Sequence, residues 1–382
     1  MRTINAEEAL VEALAEEMRR DPSVLTFGEG VATKLHALAK ELGPHRVRNT
    51  PLAEGIIAGT AVGAASGGLR PVIDLLFAPF VAYAMEELVN SAGKLRYLSG
   101  GQFSFPLVAL ARTGAGWAVG AQHNHNLEAW FVHAPGLKVV MPATVADFKG
   151  LMKSAIRDDN PVVFFADIGL LHRPGEVPEG DVAVPLGEAA IRRPGHDVTL
   201  IAYAKTVFTC LEAAEVLEKE GVSAEVVDLR TLKPLDGATV LASVRKTGRA
   251  VIVHEAAAPC GVGAEIAALL AEHAFDALSA PVVRLTGPDV PPPGSFPLEQ
   301  ACVPSAASLV AAVRGQVRAS VPRSVSTFAE YPEPRAHSGQ STRGLVERPA
   351  ERSCSAGPGG SEGSDGKGQR PEMGTKSRAV GE

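Results

Sequence analysis

Glycine-rich strings are the first residues whose spacing could carry chemistry. A strand followed by Gly-x-Gly-x-x-Gly would cradle a pyrophosphate at the start of a helix. Gly114-Ala115-Gly116 follows an apolar run, but its next glycine is Gly120, one residue too late, and Gly261-Val262-Gly263 has no third glycine. The sequence therefore does not predict a nicotinamide dinucleotide site.

The string AQHNHNLEAWFVH is a second candidate, because its histidines could chelate a metal ion. Glu128 is the only carboxylate nearby, and no thiol stands near to complete a ligand set. The pattern therefore favours a polar loop with one functional histidine. Glu54 precedes the run GIIAGTAVGAA and by itself indicates only an acidic helix start that complements the helix dipole.

Composition limits the class of protein. The chain has 382 residues, 46% hydrophobic and 21% charged, which is typical of about two globular domains. A net charge of -6 gives no basic surface for nucleic acid. Four cysteines lack metal or disulfide spacing, no apolar signal core opens the sequence, and no apolar run reaches the ~18 residues that span a bilayer. We expect a cytoplasmic protein that binds neither nucleic acid nor membrane.

Predicted strands and helices, which could position a site, alternate most clearly between His196 and Val317. DVTLIAY, AEVVDLR, AVIVHEA and PVVRLTG read as strands, and amphipathic strings such as VFTCLEAAEVLEKEG separate them as helices. Strands that alternate with helices predict a parallel sheet covered on both faces. This α/β domain is assigned to residues 189–319.

The first half follows the same pattern less regularly. SVLTF, LRPVIDLLF, FPLVALAR, LKVVMP and NPVVFFAD read as buried strands, and Asn5 with Glu8 indicates a capped helix start. Another α/β domain is expected at 1–176, joined by a Pro- and Gly-rich linker at 177–188. Residues 320–382 have almost no bulky apolar side chains, which predicts a disordered tail.

Several long strings match one family in order and spacing. RVRNTPLAEGIIAGTAVGAASGGLRPVID, GKLRYLSGGQ and GAQHNHNLEAWFVHAPGLKVVMP resemble the pyrimidine-binding domain of the beta subunits of thiamine diphosphate-dependent 2-oxo acid dehydrogenases. DVTLIAY, EVVDLRTLKPLD and VGAEIA resemble the transketolase-type C-terminal domain of the same subunits. The resemblance covers roughly residues 3–318. It implies two parallel-sheet α/β domains, a thiamine diphosphate pyrimidine-binding domain followed by a transketolase-type C-terminal domain.

The resemblance assigns roles to four residues. Glu54 matches the family's glutamate, which hydrogen-bonds the pyrimidine ring nitrogen and drives the imino tautomer that removes the thiazolium proton. Phe80 matches an aromatic residue that packs on the pyrimidine, although alone it would read as a core residue. Glu29 matches an acid on the path between paired active sites. His123 matches the histidine of a His-Ser-Gln loop, which is expected to contact the substrate or the acyl intermediate and to assist its transfer to a lipoyl arm.

Other positions depart from the family pattern. Asn124 and His125 replace the Ser and Gln that usually follow the histidine. Gly30 stands where an acid is usual, the loop after it is several residues short, and His172 replaces a tyrosine. Cofactor-side positions match while substrate-side positions differ. The sequence therefore identifies neither the particular 2-oxo acid nor the acceptor.

Partner chains and ions are also implied by the resemblance. In the family a separate alpha chain holds the diphosphate through Mg²⁺, using Gly-Asp-Gly and a later Asn, whereas the nearest string here is Ser364-Asp365-Gly366 with no Asn after it. We expect an α2β2 assembly with an alpha subunit, serving a lipoyl acyltransferase core. A structural K⁺ site is implied at Ala155, Asp158 and Asn160, residues that otherwise indicate a helix-ending turn.

Three functions remain open on the sequence. The leading hypothesis is decarboxylation of pyruvate or a branched-chain oxo acid, with acyl transfer to a lipoyl acyltransferase. One alternative is half of a split transketolase-like enzyme acting on sugar phosphates, for which Arg112 and His125 are the only anion-binding hints. Another is a non-catalytic assembly subunit, against which the joint retention of Glu54, Phe80 and His123 argues.

Overall fold

The computed structural model describes residues 1–318, which belong to one compact unit, and the predicted tail at 320–382 lies outside the described residues. Three sheets have seven, five and two strands. The strands and helices of the first half are, in chain order, β1 (Arg2–Asn5), α1 (Ala6–Arg20), β2 (Val24–Gly28), α2 (Val31–Lys34), α3 (His36–Leu42), β3 (Val47–Asn49), α4 (Glu54–Ser66), β4 (Arg70–Phe77), α5 (Ala78–Val81), α6 (Gly93–Leu98), β5 (Val108–Thr113), α7 (Glu128–His133), β6 (Lys138–Val140), α8 (Val145–Arg157), β7 (Val162–Asp167) and β8 (Pro174–Val177).

The second half continues the alternation. Its elements are β9 (Ala190–Arg193), β10 (Val198–Ala202), α9 (Thr206–Lys219), β11 (Ala224–Asp228), β12 (Thr231–Lys233), α10 (Gly237–Thr247), β13 (Ala250–Ala257), α11 (Val262–His273), β14 (Val283–Gly287), α12 (Phe296–Ala301) and α13 (Ala306–Arg318). Short 3₁₀ turns lie at Ala82–Ala84, Ile168–Leu170 and Phe275–Ala277, and a π-helical segment at Glu86–Ala92. No helix or strand lies between Val177 and Ala190, where the linker is predicted.

Helix α1 begins where the sequence predicts. The Glu8 N–H donates to Asn5 Oδ1 and the Asn5 N–H donates to Glu8 Oε2, both at 2.9 Å. This reciprocal pair gives an acceptor to two backbone N–H groups that the start of a helix would otherwise leave without a hydrogen bond. Leu10, Leu14 and Met18 then lie buried on one face of the helix.

The seven-stranded sheet has the order β12, β6, β7, β5, β4, β2, β3. One face packs on α1 and α8, in a core that includes Leu10 and Phe148. The other face packs on α4 and on helices of the second half, since Ile57, Val240 and Ile266 belong to one cluster. The two halves therefore share a hydrophobic core, which fixes the second half relative to the edge of the first sheet.

Edge strands are the part of the architecture that the sequence did not predict. β9 pairs antiparallel with β11 at the edge of the five-stranded sheet. β12 lies in the second half of the sequence but pairs antiparallel with β6 of the first sheet. The other pairs within these two sheets are parallel, as predicted. Strands of three or four residues carry too little periodicity to be recognised.

One segment, Phe296–Arg318, is long and apolar enough by composition to cross a membrane. It consists of α12 and α13, which are separated by four residues. Leu309, Val310 and Val313 of α13 are buried in the core of the five-stranded sheet. The apolar side chains of α13 are therefore explained by packing within the described residues.

Candidate active site at the carboxyl ends of four strands

The predicted site residues follow four neighbouring strands of the seven-stranded sheet. β3, β2, β4 and β5 are adjacent and parallel. Glu29 directly follows β2, and Glu54 comes five residues after β3. Phe80 comes three residues after β4, and His123 ten after β5. Open α/β sheets bind ligands outside the carboxyl ends of their strands, so the topology brings all four residues to the edge where a ligand is expected.

His123 and Phe80 lie together in an aromatic cluster. Their ring centroids are 5.3 Å apart, and Phe77, the last residue of β4, lies 5.0 Å from His123 and 5.9 Å from Phe80. Trp117 lies 6.4 Å from Phe77, and it stacks on His172 at the same distance. The rings around Phe77 meet edge to face, a favoured arrangement of aromatic quadrupoles. Phe80 and His123 both remain partly exposed, so a ligand can reach them.

Glu54 is the first residue of α4 and is half-buried. The first turn of α4 lies close to the segment after Phe80, since a Cβ at Gly55 would stand 3.2 Å from the Tyr83 carbonyl oxygen. Within the described residues, neither Glu54 nor Glu29 has a side-chain hydrogen bond or an ion pair. Both carboxylates reach the same sheet edge as the aromatic cluster without bonding to it. They are therefore available to a ligand or to a partner chain.

Asn124 does not lie where the sequence placed it. The sequence grouped Asn124 and His125 as substrate-side replacements in the His-Ser-Gln loop. His125 is exposed, but Asn124 is only 2% exposed and its Nδ2 donates a hydrogen bond to Glu299 Oε1. Asn124 is thus an internal anchor of the loop that carries His123.

Buried polar contacts connect that loop to the second half of the chain. The Tyr203 hydroxyl donates to Glu128 Oε1 at 2.7 Å, and burial raises the pKa of the Glu128 carboxyl. Lys205 pairs with Glu255 and donates to the Ala115 carbonyl oxygen at 2.5 Å. Burial lowers the pKa of the Lys205 ammonium. The second half therefore holds the loop after β5 through both charged and neutral groups.

The turn predicted to bind potassium already has its side-chain oxygens engaged. Lys138 Nζ binds Asp158 Oδ2, and Arg96 Nη1 donates to Asn160 Oδ1 at 2.8 Å. A further cation would stand beside these two positive charges and be repelled by them. The Asp158 and Asn160 side chains are thus engaged by protein cations, and the K⁺ site at Ala155, Asp158 and Asn160 stays a prediction. Across residues 1–318, no group of three or more His, Cys, Asp or Glu side chains could hold a metal ion.

Sequence reasoning missed Glu255, Glu299 and Trp117. Trp117 had a recognisable signal, because a large aromatic side chain between two glycine-rich turns after a strand is unusual. Glu299 had none, because an acid in the first turn of a helix reads as a partner of the helix dipole. Its hydrogen-bond donor Gly116 lies 183 residues away in the sequence.

Two family models match this chain. The transketolase pyrimidine-binding domain matches residues 2–172, and the transketolase C-terminal domain matches residues 187–309. Together they cover most of the described residues, in the order that the sequence predicts.

Curated relatives share nearly half of the aligned residues. The chain is 45% identical over 325 residues to the pyruvate dehydrogenase E1 component subunit beta-2, mitochondrial, of Oryza sativa subsp. japonica, covering 82% of this chain and 86% of that one. It is 44% identical to the pyruvate dehydrogenase E1 component subunit beta of Rhizobium meliloti, covering 82% and 70%. It is also 44% identical to the acetoin:2,6-dichlorophenolindophenol oxidoreductase subunit beta of Cupriavidus necator, covering 82% and 97%.

Solved structures share the fold. A structure described as "Split gene transketolase, inactive beta4 tetramer" matches with a TM-score of 0.71 and 29% identity, covering 83% of this chain and 100% of that one. A transketolase mutant from Pichia stipitis matches with a TM-score of 0.60 and 15% identity, covering 83% and 46%, which shows the fold alone. With both domains matched and beta subunits 44–45% identical over 70–86% of their length, the chain belongs to the transketolase-like family of beta subunits of thiamine diphosphate-dependent 2-oxo acid dehydrogenases.

Proposed function

We propose that this chain supplies the pyrimidine side of a thiamine diphosphate site in a 2-oxo acid dehydrogenase. The complete enzyme decarboxylates pyruvate or a branched-chain oxo acid and transfers the acyl group to a lipoyl acyltransferase. Support comes from relatives named as pyruvate dehydrogenase and acetoin oxidoreductase beta subunits. A location in the cytoplasm stays a prediction.

The observation that carries the proposal is that the Glu54 carboxylate has no hydrogen-bond donor. This carboxylate is half-buried at the carboxyl edge of the sheet, and the described residues give it no donor. Carboxylates removed from water are normally paired, because desolvation penalises their charged form. A free Glu54 carboxylate at the same sheet edge as the partly exposed Phe80 and His123 therefore suits a planar heterocycle that has a nitrogen to share a proton and a face to pack on an aromatic ring. The aminopyrimidine of thiamine diphosphate has both features.

The side chains divide the work by their chemistry. When bound, thiamine diphosphate supplies the nucleophilic carbon and the electron sink that decarboxylation requires. Glu54 holds and returns a proton at its carboxylate oxygen beside the pyrimidine nitrogen, a role that needs an acid and not an amide. Phe80 orients the ring by packing. His123 would donate or accept a proton on the substrate side, since its ring is partly exposed within the aromatic cluster.

A partner chain completes the site in this proposal. The aromatic cluster and Glu54 include no cationic side chain that would hold a diphosphate, and residues 1–318 have no group of three or more His, Cys, Asp or Glu side chains that could hold a metal ion. We therefore assign Mg²⁺ and the diphosphate to an alpha subunit in an α2β2 assembly. A beta-only tetramer of a split transketolase is described as inactive, which supports the same division of the site between two chains.

The dehydrogenase proposal is preferred to a split transketolase. Identity is 44–45% to dehydrogenase and acetoin oxidoreductase beta subunits but 29% to the split transketolase. Arg112, one of the two anion-binding hints in the sequence, is bound to Asp74 Oδ1 at 2.8 Å and has little exposed surface. It is therefore poorly suited to receive a sugar phosphate.

Titration calorimetry tests the proposal directly. We expect the purified chain alone to show no micromolar binding of thiamine diphosphate in the presence of Mg²⁺, and the complex with its alpha partner to bind. The alpha partner alone is the matched control. Micromolar binding by the isolated chain would overturn the divided site.

A further inference from the structure

The loop between β5 and α7, which carries Trp117 and His123, has a strained backbone. Ala118 has φ of 50°, in the left-handed region of the backbone map. A left-handed conformation is unfavourable for a residue with a Cβ and persists only where surrounding contacts enforce it. The loop therefore needs an external restraint to keep His123 against Phe77 and Phe80.

Glu299 of α12 provides that restraint. Its Oε2 accepts from the Gly116 N–H and its Oε1 from the Ala118 N–H, each at 3.0 Å, and Oε1 also accepts from Asn124 Nδ2. The Glu299 side chain is 1% exposed and forms no ion pair within the described residues. One carboxylate thus holds the loop on both sides of the strained residue.

A second carboxylate fixes the start of the loop. Glu255 Oε2 accepts from the Ala115 N–H at 3.1 Å, and Lys205 holds the Ala115 carbonyl oxygen. A Cβ at Gly114 would stand 2.9 Å from Glu255 Oε2, so the backbone here approaches the carboxylate as closely as a glycine permits. Glu299 and Glu255 both come from the second half, which shares a core with the first.

We infer that Glu299 is a positioning residue for His123, acting through Asn124 and the Gly116–Ala118 backbone. Its hydrogen bonds go to Gly116, Ala118 and Asn124 and not to Glu54, so it sets the geometry of the substrate-side histidine and leaves the cofactor-side carboxylate alone. The inference that Glu299 restrains the loop rests only on the observed hydrogen bonds. Only the identity of the affected step, acyl transfer and not cofactor activation, rests on the proposed function.

The fluorescence of Trp117 reports how tightly the loop is held, and it can be measured without enzyme activity. Trp117 and Trp130 are the only tryptophans of the sequence, so Trp130→Phe leaves Trp117 as the single tryptophan, which can be excited selectively over the four tyrosines. In that background Glu299→Gln replaces one acceptor oxygen with an amide that faces an N–H donor. We expect acrylamide quenching of Trp117 to rise about twofold as the loop loosens. Glu272→Gln, an exposed acid of the same half, is the matched control and leaves quenching unchanged.

Partial reactions of the reconstituted complex test the link to His123. We expect Glu299→Gln to slow acyl transfer to a lipoyl domain by on the order of 10²-fold, the scale of an angstrom-level misplacement, and to leave thiazolium proton exchange within twofold. Combining it with His123→Ala should add no further loss in acyl transfer, because both changes remove one function. Asn124→Ser, which removes only one of the three contacts, should give a smaller loss of the same kind.

Two results would overturn the inference. One is unchanged Trp117 quenching in a folded Glu299→Gln variant, and the other is a double variant whose loss is the product of the two single losses. If Glu299→Gln fails to fold, the same two measurements on Asn124→Ser decide. A wild-type complex without decarboxylation would refute the proposed function, whereas the quenching result would still decide whether Glu299 holds the loop.

Discussion

Acidic side chains have opposite environments at the carboxyl edge of the seven-stranded sheet and behind the His123 loop. Glu29 and Glu54 at the sheet edge are half-buried and have no hydrogen-bond or ion-pair partner within the described residues. Glu128 and Glu299 behind the loop are each 1% exposed and each accept from protein donors. The first pair is free to act on a ligand, whereas the second holds structure. Substitutions of the first pair should therefore change activity, and substitutions of the second pair should change stability.

The largest expected effect on stability comes from removing a buried acceptor. Glu299→Ala leaves three donors without their acceptor, and orphaned buried donors cost ~1–3 kcal/mol each, so we expect a loss of roughly 4 kcal/mol. Glu54→Ala removes no hydrogen bond or ion pair within the described residues and should change the free energy of unfolding by less than ~0.5 kcal/mol. Urea denaturation measures both. Equal losses for the two variants would remove the contrast between the regions.

A smaller effect depends on pH and comes from His254. Burial lowers the pKa of His254 from 6.5 to about 4, its Nδ1 lies 3.1 Å from the Ala256 carbonyl oxygen, and its Nε2 accepts from the Gly263 N–H. The unfolded chain therefore takes up this proton first as the pH falls. The stabilisation is complete above pH ~6.5 and is lost toward pH ~4, by up to about 3 kcal/mol.

Comparing the unfolding free energies of the wild type and a His254→Phe variant isolates the pH-dependent stabilisation that comes from His254. The variant is less stable at neutral pH, because the Gly263 N–H loses its acceptor, but it lacks the histidine titration. The difference in unfolding free energy between the two proteins should therefore shrink as the pH falls from 6.5 to 4. A difference that stays constant over this range would show that His254 titrates normally in the folded chain.

A smaller loss of stability than either Glu299→Ala or His254 protonation is expected from Asn124→Ser, which restores the usual family residue. It removes one hydrogen bond to a charged acceptor, worth ~1.5 kcal/mol. His125→Ser at the exposed neighbour is the matched control and should leave the melting transition in place. If both variants melt like the wild type, Asn124 is not an anchor and belongs with the substrate side after all.

Local sequence patterns predicted most of the fold, but they did not predict the contacts that hold the loop carrying His123. The apolar runs of β4 and β7 and the capping pair of α1 act over a few residues, so the sequence shows them directly. β9 and β12 are short edge strands whose partners are chosen by the tertiary fold. Family resemblance pointed to the residues at the strand ends. It did not point to Glu299, because its contacts join segments more than 170 residues apart.

The central claim is that Glu54 exchanges a proton with the cofactor, and thiazolium proton exchange in the reconstituted complex tests it most directly. Glu54→Gln keeps the size of the side chain, so thiamine diphosphate should bind within severalfold of the wild-type affinity. The amide cannot shuttle the proton, and NMR should show exchange slowed on the order of 10²-fold or more. His123→Ala should leave the exchange rate nearly unchanged. Exchange at the wild-type rate in Glu54→Gln would mean that Glu54 only begins α4 and that the catalytic centre lies elsewhere.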